Sequence, residues 1–106
     1  MKTVYVLSKG MIKADYIPDL EQLNTYRRVI KETPKGLRLC AVDAPEDFKG
    51  FLYMRQHYDF FDTRAELMEA IANQANNAAA ELEARKLEAM RLMCDAHDAL
   101  RAEQTQ

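Results

Sequence analysis

The chain has 106 residues, 48% of them apolar and 30% charged, with a formal charge of −2 and two cysteines. That is enough for one small core with an appendage and little more. The balance excludes a DNA mimic and a strongly basic phosphate-binding domain, two cysteines make no disulfide framework, and no stretch approaches the roughly 18 apolar residues of a membrane span.

Thr3-Val4-Tyr5-Val6-Leu7-Ser8 is β-branched and aromatic, stops short of Gly10, and predicts a strand. Met1-Lys2-Thr3 runs straight into it without an apolar leader, so a cytoplasmic protein is expected. Ile17-Pro18-Asp19 can open a helical turn, with Leu20 and Leu23 three apart. Thr25, Tyr26, Val29, Ile30 and Thr33 favour extended structure instead. Thr33-Pro34-Lys35-Gly36 then supplies a tight turn, because proline presets φ and glycine tolerates the left-handed region. The expected unit is a hairpin of 25–33 against 37–43 after one helical turn, with a helix over 18–32 as the open alternative. Asp43 to Gly50 is polar and contains Pro45, hence a loop. Phe51 to Tyr58 reads as a third, aromatic-rich strand.

From Phe51 to Gln106 there is neither glycine nor proline. Thr63 with Glu66 three residues on forms a capping box, in which the hydroxyl takes a free first-turn amide while the glutamate reaches back. Phe61 and Leu67 can clamp the angle at which the helix leaves the sheet. A helix of about 40 residues is about 60 Å long. The remaining residues make a body only about 27 Å across. One end must project and bury against itself, a second copy or another protein.

Positions 65, 68, 72, 75, 79, 82, 86, 89, 93, 96 and 100 alternate by three and four, and ten of these eleven are apolar. The neighbouring frame, through Leu67, Ile71, Gln74, Ala78, Leu92 and Ala99, has five apolar residues in ten. The better frame predicts a left-handed helix–helix seam at a period of 3.5, with Met68, Ala72, Ala75, Ala79, Leu82, Ala89, Met93 and Leu100 as the interface. Beyond Leu82 the stripe widens, and Leu87, Met90, Cys94 and His97 are the candidate partner-facing residues. A break in the poor helix formers Asn73-Gln74-Ala75-Asn76-Asn77 would instead fold the tract into a helical hairpin. The expected fold is therefore α+β. Residues 1–61 form a small antiparallel sheet of three to four strands, and 62–106 form a long C-terminal helix or helical hairpin that packs on itself or in a dimer.

Chemistry is sparse. Cys94 and His97 share a helical face, and a dimer could bring two such pairs together, but one pair per chain is a weak metal signal. Cys40 lies mid-strand, as a small buried residue would. Tyr53, His57, Tyr58 and Asp59 fall close together and read as a solvent-facing strand end and turn. Three glycines cannot build a phosphate loop. No catalytic, cofactor or metal site is expected. The cations Arg27, Arg28, Lys31, Arg38 and Arg55 interleave with tyrosines, which gives nucleic-acid binding as the second reading. The same cations can equally solvate one sheet face and blunt its edges. Residues 1–61 carry +2 and residues 62–106 carry −4, so a charged partner can tell the two parts apart.

The segment from the turn Glu32-Thr33-Pro34-Lys35-Gly36 to Phe60-Phe61-Asp62-Thr63-Arg64-Ala65-Glu66 resembles small accessory proteins of bacteriophages and prophages. In these a short antiparallel sheet runs into a capped terminal helix. The resemblance covers roughly residues 25–72 and carries over no functional residues. It implies a protein that binds a host protein, in some cases to block a defence system such as CRISPR or restriction. A non-enzymatic, homodimeric binding module directed at a host protein is the function expected.

Overall fold

The β-branched and aromatic residues of the first 61 positions are used in five short strands. A computed structural model describes residues 2–105. β1 (Thr3–Ser8), β2 (Tyr26–Thr33), β3 (Gly36–Cys40), β4 (Phe51–Met54) and β5 (Tyr58–Phe61) precede one helix, α1 (Arg64–Gln104). This is the α+β arrangement anticipated, with more strands than the three to four expected. The aromatic run from Phe51 to Tyr58 is not one strand. The His57 amide donates to the Met54 carbonyl oxygen at 3.0 Å, and the turn so closed separates β4 from β5.

The expected hairpin is present as β2 and β3, with Thr33 paired to Gly36. The Thr33 hydroxyl donates to the Gly36 carbonyl oxygen at 3.0 Å and accepts from the Gly36 amide at 3.1 Å, which ties the turn from both sides. Glycine is required at 36 because a Cβ there would run into the Tyr53 carbonyl oxygen of β4. The helical alternative for 18–32 shrinks to one 3-10 turn over Leu20–Leu23, opened by Asp19.

All strand pairings are antiparallel, in the order β4-β3-β2-β1-β5. β4 and β5 therefore lie at opposite edges, yet the rings of Tyr53 and Tyr58 are 4.9 Å apart. The sheet is rolled until its edges stand side by side. A register shift between Val29 and Lys31 assists, since a bulge increases local twist. Rolling lets period-2 alternation supply two cores. Val4, Val6, Leu37 and Leu39 fill the inside, with Val29, Tyr53, Tyr58 and Phe60 packed on them. On the outside of β1 and β5, Leu7, Tyr5 and Phe61 meet Ile12, Leu23 and the helix residues Leu67, Ile71 and Ala78.

α1 starts at the expected cap. Thr63 is extended, and its hydroxyl oxygen accepts from the Glu66 amide at 3.2 Å. The return bond differs from a capping box. The Glu66 carboxylate accepts from the Thr63 hydroxyl at 2.9 Å rather than from its backbone amide. Phe61 packs on the cluster that contains Leu67, as the clamp required.

The helix then runs unbroken for 41 residues, so no helical hairpin forms. The weak cluster Asn73–Asn77 is held by tertiary bonds. Gln74 donates from Nε2 to the Ser8 carbonyl oxygen at 3.2 Å and accepts through Oε1 from the Ile12 amide at 3.1 Å. Ala78, four residues on, is buried. The sheet and the first four turns of α1 thus share one core, which reaches past the expected boundary at 61/62. From Ala79 to Thr105 every residue is exposed. The molecule measures 79 × 23 × 22 Å.

Candidate functional site

A helix keeps whatever apolar face it does not bury available for a partner. The bare part, Ala79 to Gln104, is about 39 Å long at 1.5 Å per residue. Leu82, Leu87, Met90, Leu92, Met93 and Leu100 project from it, each 40–70% exposed. Of the expected interface residues, Met68 is half-buried against its own sheet, while Ala72, Ala75, Ala79, Leu82, Ala89, Met93 and Leu100 are exposed. Leu87, Met90, Cys94 and His97, the expected partner-facing set, are exposed as well.

The seam itself needs correction. The buried residues of α1, Leu67, Ile71 and Ala78, belong to the frame with the poorer apolar count, while Met68 of the better frame is half-buried beside them. At 3.6 residues per turn, positions 67, 71, 78, 82, 89, 93, 96 and 100 fall within an arc of about 80°. A strict heptad frame drifts about 20° per repeat along a straight helix, so it leaves this stripe in the proximal half and meets it only distally. One straight stripe is covered by the sheet as far as Ala78 and bare beyond it. Leu92, missed by heptad counting, lies on the flank of the bare part and is 70% exposed.

The five expected cations do not make one surface, because rolling the sheet separates them. Val4 pairs with Arg27 and Cys40 with Arg28, which places these adjacent arginines on opposite faces. Arg27 lies beside Phe48 and Phe51, whose rings meet edge-on at 6.1 Å, in a hollow of about 410 Å³ also lined by Pro45 and Tyr53. Arg28 donates from Nη2 to the carbonyl oxygens of Ala44 at 3.1 Å and Pro45 at 3.3 Å, so it pins the β3–β4 loop. Arg55 is engaged by Glu32 at 3.2 Å and lies over the Phe60 ring.

Lys31 and Arg38 do come together. They are direct cross-strand partners, and with Lys35 and Leu52 they border a hollow of about 370 Å³. Like charges set opposite each other in a sheet repel. Among the described residues, none of these three cations has a carboxylate within 4.0 Å. Lys35, in the turn between β2 and β3, joins them through the expected hairpin.

The other candidate groups disperse. Asp59 faces Lys9 at 3.8 Å, His57 contacts Gln56 in the turn, and the rings of Tyr53 and Tyr58 meet edge-on. Cys40 is buried and Cys94 exposed. Among the described residues, no group of three or more His, Cys, Asp or Glu is placed to hold a metal ion. No described helix is long and apolar enough to cross a membrane. Comparison of the chain with protein-family models, with curated proteins and with solved structures finds no match.

Proposed function

We propose that this chain is a non-enzymatic protein-binding module, dimeric through its C-terminal helix, that occupies a host protein in the cytoplasm by steric contact. The reading takes its context from the resemblance to phage and prophage accessory proteins, and so includes anti-defence activity of the anti-CRISPR kind. One observation carries it: the helix leaves its own sheet after Ala78 and presents large apolar side chains to water over the whole remaining length. Contiguous apolar surface of this kind marks interaction sites on soluble proteins. The sheet anchors and orients the arm, and the residues on the arm choose what it grips.

The test is affinity capture from bacterial lysate with the full chain and with Leu87→Glu, identified by mass spectrometry. A single host protein held by the wild type and released by the variant, at unchanged oligomeric mass, is the expected result. An identical captured set from both chains would remove the host-binding reading. A second reading, a nucleic-acid accessory protein, draws on the unpaired Lys31, Lys35 and Arg38 beside Leu52. It requires salt-sensitive binding of a labelled single-stranded oligonucleotide, weakened by Arg38→Ala.

A further inference from the structure

We infer that two copies of this chain pair through their arms in antiparallel orientation, about a two-fold axis at Arg91. The inference rests on the dimer reading above and specifies its geometry. The first argument is steric. The body sits on the same side of α1 as the bare stripe, because Leu67, Ile71 and Ala78 share an arc with Leu82, Met93 and Leu100. Packed helices lie about 8–10 Å apart, whereas the molecule is 22–23 Å thick. Parallel pairing would force two bodies into the same space between the helices. Antiparallel pairing puts them at opposite ends.

The second argument is the order of residues along the stripe. With Arg91 at the axis, Leu82 packs on the partner's Leu100, and Ala89 on the partner's Met93. Arg85 and Lys86, the charges that border the stripe on its two sides, then lie level with the partner's His97 and the partner's Ala96. In a parallel pair each would lie level with its own copy, a like-charge layer. The flanks agree with this choice. Met90 meets the partner's Met90 on one side of the axis, and Leu92 meets the partner's Leu92 on the other, which gives the most exposed leucine of the arm an occupant. Glu83 reaches the partner's His97. In this register Glu103 lies across from Ala79, the first residue beyond the covered part of the helix. Leu87 and Cys94 stay on the outer side, free for a host protein. This reassigns Met90 from the partner-facing set to the dimer.

The contact is modest. Two helical strips about 39 Å long bury on the order of 1,000 Å² in total, at the weak end of specific interfaces. Micromolar association is the expectation.

Spin labels at Asn77→Cys or Arg91→Cys, both exposed positions, in a Cys94→Ala background decide the orientation by pulsed dipolar spectroscopy. Asn77 lies across from the partner's residue 105, so its two labels should be separated by about 42 Å along the axis. The labels at position 91 should be about 25 Å apart, across two helix diameters. Equal, short distances at both positions would overturn the antiparallel pairing and leave the dimer standing. A monomeric mass at about 100 µM by light scattering would overturn the dimer itself, without touching host capture by Leu87.

Discussion

The two halves of α1 carry the same apolar stripe and have opposite fates. Residues 64–78 lay it on the sheet, where Leu67 is fully buried and Ile71 and Ala78 nearly so. Residues 79–104 hold it up to water. The buried half acts on stability: it closes the outer core and seals the β1–β2 connection through Gln74. The bare half adds almost nothing to the fold of its own chain, since an exposed side chain gains no burial energy. An apolar residue in the arm therefore acts on association, and its worth appears only when a second molecule arrives.

Substitutions can break this comparison, and the largest effect belongs to the buried half. Leu67→Ala removes a side chain with no exposed surface and should destabilise the chain by about 2–5 kcal/mol, read from urea unfolding followed by circular dichroism. A loss under about 1 kcal/mol would mean that the helix does not seat on the sheet as described. Gln74→Ala comes next. It strips the Ile12 amide of its acceptor and the Ser8 carbonyl of one donor, leaving it the Met11 amide, at a cost of about 1–2 kcal/mol, and amide exchange at Ile12 should quicken. Unaltered exchange there would show that this clamp does not hold the connection.

Thr63→Ala removes the cap for about 1 kcal/mol. Thr63→Ser should restore most of it, because the serine hydroxyl can take the same Glu66 amide. Leu92→Ala should move unfolding at low protein concentration by under about 0.5 kcal/mol. The same change should weaken self-association measured by light scattering. Should Leu92→Ala destabilise the chain as Leu67→Ala does, the arm is not the free element described.

Much of the fold is legible in local chemistry. Pro34 marks the β2–β3 hairpin, Asp19 the short helical turn, and Thr63 with Glu66 the helix start, because the fixed φ of proline and capping hydrogen bonds act within four residues. Gly36 does not take the left-handed φ expected of it and is needed instead for its close approach to Tyr53. The split of Phe51–Tyr58 into two strands is not legible that way. Nothing local in Arg55-Gln56-His57 demands a turn, and only the rolled sheet, with Tyr53 against Tyr58, requires one. The arm as a place of contact is readable from its length and its leucines and methionines. The side on which it works is not.

From sequence alone follow an α+β chain, a hairpin, a capped helix too long for its body, and an apolar excess along that helix. These rest on backbone preferences and side-chain periodicity, which neighbouring residues impose. Tertiary structure decided which stripe is buried, that the Asn-rich cluster stays helical, and that the cations scatter while Lys31, Lys35 and Arg38 gather. The first two depend on how the rolled sheet meets one face of the helix, a contact between residues some sixty positions apart, such as Ser8 and Gln74, that no local window contains. The third depends on strand pairing, which sets Lys31 across from Arg38 and turns Arg27 and Arg28 to opposite faces.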